Sequence, residues 1–262
     1  MYEIQTYLGA DGLMHCTVCK EPVEAFYPKG SLLEMRKRHR QCACERKAYA
    51  EETQYYKEKE HRELIARNKK ICFEEKEMEG FTFQNVERDS GVIRIAEEYV
   101  TNWQKMKQNH MGYLFWGPVG TGKSYLAACI ANALLEKEVT VKMTNFNTIL
   151  NDLFAAEDKT EYIRLLNGYE LLIIDDLGVE RSSEYALENI FGVIDWRYRS
   201  GKPLIITTNL PLAQLKQETK IEKKRIYDRI LERCIPVKID GVSRREAMAN
   251  DNMQTMKNIL KI

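Results

Sequence analysis

The chain has 262 residues, 44% of them hydrophobic and 30% charged, with a formal net charge of +1. That composition is globular, and the near-zero charge excludes a global field that would draw in a polyanion or a membrane surface, so any such contact must come from local patches. Met1-Tyr2-Glu3-Ile4-Gln5 lacks the basic start and apolar core of a secretory signal, no apolar run approaches a membrane span, and seven cysteines, an odd number, argue for a reducing, cytoplasmic compartment rather than a disulfide scaffold.

In chain order, residues 1–44 form a cysteine-rich module. Cys16, Cys19, Cys42 and Cys44 supply four thiolates, enough for a closed tetrahedral structural Zn²⁺ site. The first pair has knuckle spacing and the second, Cys-x-Cys, is tighter than usual. His15 and His39 stand nearby as alternative ligands, and an iron–sulfur cluster or free redox thiols are the competing readings. Arg36, Lys37, Arg38 and Arg40 are either a nucleic-acid contact or a solvated face. Residues 45–80 are rich in Glu, Lys and Arg and free of Pro and Gly until Gly80, which reads as a charged helical linker. Ala48, Tyr55, Tyr56, Leu64 and Ile65 build no clean apolar stripe, so this helix is expected to be solvated.

Residues 81–262 alternate short apolar runs with helical patterns. Strands are predicted at 113–116, 139–143, 171–174, 203–207 and 237–239, with helices between them such as 123–135 and 183–198. Such alternation predicts an α/β fold, a parallel sheet with helices on both faces and ligands at the carboxyl ends of the strands. Gly117-Pro118-Val119-Gly120-Thr121-Gly122-Lys123-Ser124 lies between the first strand and a helix and reads as a phosphate-cradling loop. Its glycines let backbone N–H groups turn inward, Lys123 reaches the β- and γ-phosphates of ATP, and the Ser124 hydroxyl reaches Mg²⁺. Asp175 and Asp176 follow the third strand. Asp175 is the candidate Mg²⁺ holder and Asp176 the candidate base or water-orienting group, against the blander reading of an acidic turn. Asn209, after the fourth strand, either hydrogen-bonds the γ-phosphate or the attacking water, or is an ordinary turn amide. Cys72, Cys129 and Cys234 read as small packing residues.

Residues 81–246 resemble the AAA+ ATPases of the DnaC/DnaI helicase-loader family. The likeness runs through the loop at 117–124, then Asp175-Asp176-Leu177-Gly178-Val179-Glu180, Ile206-Thr207-Thr208-Asn209-Leu210, Arg225-Ile226-Tyr227-Asp228-Arg229-Ile230 and Gly241-Val242-Ser243-Arg244-Arg245. The resemblance implies two Walker motifs at these loop and acid positions, sensor 1 at Asn209, an arginine finger at Arg229 and sensor 2 at Arg245 or its neighbour Arg244. Many AAA+ proteins carry Glu where Asp176 stands, so slow hydrolysis is expected. Arg225, Arg229 and Arg233 also fit a solvated basic helix face. Phe81 and Phe83 lie where such proteins contact the base and read equally as core aromatics. The implied activity is ATP-dependent loading of the replicative DNA helicase onto single-stranded DNA by a homo-oligomer, with the N-terminal module holding the helicase. From Lys216 to Arg245 ten basic residues stand against five acidic ones, which suits a phosphate backbone. The alternatives are an IstB-type transposition accessory ATPase, and a nucleotide-gated DNA- or partner-binding protein with little turnover.

Overall fold

A computed structural model of the chain describes residues 5–33, 36–85, 91–178, 183–241 and 243–260. It divides into two compact units, Met1–Leu64 and Ile65–Ile262.

The first unit is two small antiparallel ribbons and the start of a long helix. β1 (Thr6–Leu8) pairs with β2 (Met14–Cys16), and β3 (Glu24–Phe26) pairs with β4 (Lys37–His39). Among the described residues its buried apolar cluster is Cys16, Val23 and Cys42, with Met14, Cys19 and Cys44 packed against them. A core of that size cannot by itself offset the entropy of ordering the ribbons. Local bonds fix the turns instead. Lys20 takes the left-handed conformation, φ 63°, so that its N–H reaches the Cys16 carbonyl at 3.0 Å while the Cys16 N–H donates to Glu21 O at 2.9 Å. α1 (Ala43–Cys72) opens with a reciprocal cap. The Cys42 N–H donates to Glu45 Oε2 at 2.9 Å, the Glu45 N–H donates back to the Cys42 sulfur, and the Ala43 N–H donates to Glu21 Oε2 at 2.8 Å. α1 buries only Ile65 and Cys72 along 30 residues, as its charge-rich sequence without an apolar stripe requires.

The second unit is the α/β layer structure expected. After two short 3₁₀ turns come α2 (Gly91–Thr101), α3 (Trp103–Gln108), β5 (Gly112–Trp116), α4 (Lys123–Leu135), β6 (Val141–Asn145), α5 (Phe146–Ala155), α6 (Lys159–Leu166) and β7 (Leu171–Leu177). They are followed by α7 (Glu184–Ser200), β8 (Leu204–Thr208), α8 (Leu212–Lys216), α9 (Ile221–Arg233), β9 (Cys234–Lys238) and α10 (Arg244–Leu260). The five strands are parallel in the order β6-β7-β8-β5-β9. Alternate strand residues supply two cores, one on each face. Tyr113, Phe115, Met143, Ile173 and Ile205 pack with α2 and α4, while Leu114, Leu172, Ile174, Leu204 and Ile206 pack with α5, α7 and α9. Phe81 belongs to the first of these layers, its ring 4.5 Å from that of Tyr125.

β6 lies two residues later than the predicted 139–143, and two further strands differ in ways that matter for the site and the edge. β9 starts at Cys234 rather than 237 and carries Pro236, which is tolerated because β9 is the sheet's edge. β7 does not end before its acids but continues to Leu177 through a bulge: Ile174 pairs with Ile206 and Leu177 with Thr208, so Asp175 and Asp176 together face Thr207. At the opposite sheet end, Arg197 is 1% exposed and donates to the carbonyls of Tyr169 (2.8 Å), Glu170 (2.8 Å) and Pro203 (3.1 Å), which clamps the segments leading into β7 and β8. Among the described residues no helix is long and apolar enough to cross a membrane.

Candidate functional site

The loop between β5 and α4 sits at the carboxyl end of the sheet, next to β8 on one side and β9 on the other. Its glycines are required by space and by backbone. Gly117 has φ 149°, and a Cβ there would stand 2.2 Å from the Ile239 carbonyl oxygen; Gly120 has φ 81°, and a Cβ there would meet Ser243 Oγ at 2.2 Å. Gly117 N–H donates to Thr208 O at 3.3 Å, which ties the loop to β8. Pro118 and Val119 form the exposed rim, and the Thr121 hydroxyl bonds back to Pro118 O at 3.0 Å. Lys123 is 5% exposed at the head of α4, and its ammonium donates to Gly117 O (3.0 Å) and Pro118 O (2.7 Å). Phosphate oxygens would compete well for those donors, since a charged acceptor makes the stronger bond.

Asp175 and Asp176 reach the same end of the sheet through the β7 bulge. Burial raises the Asp175 pKa, while hydroxyl donation from Thr207 and Ser124 and the nearby Lys123 charge pull the other way. The Thr207 side chain, fully buried, donates to Asp175 and accepts the Asp176 N–H at 2.9 Å, so one hydroxyl holds both acids. Asp176 has φ 56°, a left-handed conformation that costs most L residues about 1–2 kcal/mol, and Asp less than most. Asn209 Nδ2 lies 3.5 Å from Asp176 Oδ1, a long contact. The structure therefore brings Lys123, Ser124, Asp175, Asp176 and Asn209 to one sheet end. The hard oxygen donors of Ser124 and Asp175 suit a small divalent cation beside phosphates.

Arg229 lies elsewhere. Its Nε pairs with Asp195 Oδ1 at 2.8 Å, and its guanidinium lies over Phe191 (4.7 Å) and Tyr198 (5.7 Å) of α7. Arg225 also covers Phe191 and Arg233 covers Tyr198, at 4.4 and 4.6 Å, so the three arginines interleave with two rings. Asp195 is 8% exposed and also holds Arg199 at 2.8 Å. The side chains of Arg244 and Arg245 lie outside the described residues.

The four module cysteines converge as well. The Sγ atoms of Cys16, Cys19, Cys42 and Cys44 all lie within 4.8 Å of one another. A tetrahedron of sulfurs on Zn²⁺ has edges of about 3.8 Å, so the donor set fits. Backbone N–H groups of Glu21 and Cys44 point at Cys19 and hold its thiol down to about 6, against burial that raises it; burial pushes Cys44 up to about 12. His15 instead bonds Lys20 O and Asp11, and His39 pairs with Glu45. Cys72 and Cys234, pushed up to about 12 by burial, are unreactive packing residues, and Cys129 is buried within α4.

A glycine-lined phosphate loop at a strand–helix junction, beside a strand that ends in paired acids, defines a P-loop ATP-binding protein. The fold around that loop, with its β6-β7-β8-β5-β9 parallel sheet, is that of AAA+ proteins. The chain belongs to the family of IstB-like ATP binding proteins, which matches it over residues 48–251. It is 24% identical over 192 residues to the replicative helicase loader DnaI of Bacillus subtilis (strain 168), covering 67% of this chain and 62% of that one. It is 29% identical over 149 residues to the replicative helicase loader DnaC of Escherichia coli (strain K12), covering 55% of this chain and 58% of that one. The chain thus spans about three fifths of the length of these curated relatives. A crystal structure of DnaI superposes with a TM-score of 0.58 at 25% identity, covering 68% of this chain and 99% of that one. The crystal structure of the DnaC helicase loader shares the fold, with a TM-score of 0.51 at 24% identity, covering 63% of this chain and all (100%) of that one.

Proposed function

We propose that this chain is an ATP-dependent loader of a replicative DNA helicase onto single-stranded DNA during replication initiation. Residues 1–44 are its zinc module, 45–80 a helical linker and 81–262 its ATPase domain. The observation that carries the reading is the joining of two features: a nucleotide site at the carboxyl end of an AAA+ sheet, and a separate four-cysteine module fit for a partner. Relatives named as replicative helicase loaders support it.

In this reading the backbone N–H groups at 117–122 and the Lys123 ammonium bind the ATP phosphates. Ser124 and Asp175 would hold Mg²⁺, which when bound neutralises charge between the β- and γ-phosphates. Asp176 accepts the proton of the attacking water or orients it, Asn209 positions Asp176 and that water, and Arg245 is the sensor 2 residue. Arg229 serves the site of a neighbouring copy, so turnover depends on assembly. Cys16, Cys19, Cys42 and Cys44 would hold Zn²⁺, whose binding supplies folding energy to a module with little core. The test mixes the full chain with its cognate hexameric helicase and ATP and measures complex mass. A stable ATP-dependent assembly that deposits helicase on circular single-stranded DNA is expected; no assembly, with or without ATP, refutes the reading. The family match favours one second reading, a transposition accessory ATPase. Capture of a transposase in place of the helicase would select it.

A further inference from the structure

The β3–β4 ribbon of the first unit carries a charge pattern that the loader reading does not use. Register places Ala25 opposite Arg38, and the Tyr27 N–H to Arg36 O and Arg40 N–H to Val23 O bonds continue the same pairing. Arg36, Arg38 and Arg40 therefore project from one face of the ribbon at every second residue, and all three are exposed. Four of the unit's described acids already have partners: Asp11 with His15, Glu21 with Arg46, Glu24 with Lys37 and Glu45 with His39. Among the described residues, none of the three arginines has an ion-pair partner. Tyr27 lies on their face, its ring 5.9 Å from the Arg38 guanidinium, and the small Ala25 leaves the middle of the track open.

We infer that this ribbon is a contact for single-stranded DNA, in addition to any DNA contact of the ATPase unit. Guanidiniums repeated at two-residue intervals, about 6.6–6.8 Å, match the interval between phosphates along an extended strand. Each presents a planar fork suited to a phosphate. Tyr27 supplies a stacking platform, which only a strand with unpaired bases can use. A row of identical donors at one spacing fits a repeating polyanion better than the scattered carboxylates of an acidic protein surface.

The test uses the full-length, zinc-loaded chain without nucleotide, and fluorescein-labelled oligothymidylate read by anisotropy across a salt series. Replacing Arg36, Arg38 and Arg40 together by Ala is expected to weaken binding at least tenfold. It should also flatten the log–log salt slope by about 2, since each single-strand phosphate contact contributes about 0.7. Tyr27→Ala is expected to weaken binding about tenfold with the slope unchanged. Arg38→Ala alone should remove about 0.7 of the slope, which keeps the inference testable if the triple variant loses its zinc. Parent-like affinity and slope in the arginine variants overturn the inference. Loss of helicase capture with DNA binding intact also overturns it, and leaves the loader reading standing.

Discussion

Replacing Thr207 with Val removes one hydroxyl from a fully buried position. That hydroxyl donates to the Asp175 carboxylate and accepts the Asp176 N–H at 2.9 Å. A hydrogen bond to a charged group contributes about 1.5–3 kcal/mol, and a buried N–H left unpaired costs about 1–3 kcal/mol. The variant should therefore lose about 2.5–6 kcal/mol of stability, a melting shift of roughly 10 °C for a unit of this size. The informative readout is the ligand. If the hydroxyl orients Asp175 for the cation, Mg·ATP affinity by calorimetry should fall about 10- to 150-fold, the same 1.5–3 kcal/mol expressed as a dissociation constant. The pH dependence has a definite sign. Burial raises the Asp175 pKa and Thr207 lowers it, so removing Thr207 raises it further. Binding needs the carboxylate charged, is present above that pKa and fades as pH falls through it. The variant must lose affinity at a higher pH than the parent. Thr207→Ser keeps the hydroxyl and should restore both affinity and midpoint. Parent-like Mg·ATP binding in Thr207→Val refutes the argument, and so does a Ser variant as impaired as the Val variant, which would point to packing alone.

Arg229→Ala should leave ATP binding by the isolated chain near normal and abolish turnover that depends on protein concentration; weakened ATP binding in the monomer would count against a role in trans. Cys42→Ser should bring metal content, read by mass spectrometry, well below one zinc per chain. Because Ser is a good N-cap, α1 still starts, and a retained zinc would show that Cys42 is no ligand. Arg197→Met takes the guanidinium from the partly buried Tyr169 and Glu170 carbonyls, at about 1–3 kcal/mol each, while Pro203 O keeps the Leu172 N–H at 3.4 Å, and should lower the melting temperature by about 4 °C or more, seen by calorimetry. An unchanged melting temperature would mean that water replaces the guanidinium.

The parts that were legible in the sequence are those whose chemistry is local. A phosphate loop needs its glycines and its lysine within a few residues, so 117–124 announces itself. The central strands are buried on both faces and read as continuous apolar runs. The four cysteines stand out because two close pairs need no long-range register to be noticed. What stayed hidden depends on pairing between distant segments. The bulge at Asp175 and Asp176 exists only in register with β8, and Thr207, inside the run Ile206-Thr207-Thr208, looks like an ordinary strand residue until that register places it between two acids. Arg197 lies on a helix whose last turn is basic and so reads as solvent-facing; its burial is set by carbonyls at Tyr169, Glu170 and Pro203. β9 begins at Cys234, three residues ahead of the predicted run at 237–239, and carries Pro236, which only an edge position makes harmless.

The pairing of Arg229 with Asp195 bears on how assembly could control turnover. Within one chain the guanidinium is held by a carboxylate that is 8% exposed and by two rings, so its position is set before any neighbour arrives. If Arg229 is to act on a neighbour's phosphate, as proposed, a side chain fixed in that way would lose little rotamer entropy on reaching it, because folding has already ordered it. The same carboxylate neutralises the charge it positions, which weakens the pull on a phosphate. Arg199, 76% exposed, takes the other oxygen of Asp195 at 2.8 Å and so shares the carboxylate with Arg229. Arg199→Ala should then tighten the grip of Asp195 on Arg229 and slow assembly-dependent turnover, with ATP affinity of the single chain unchanged; faster turnover would show that Arg199 competes with Arg229 for the neighbouring site.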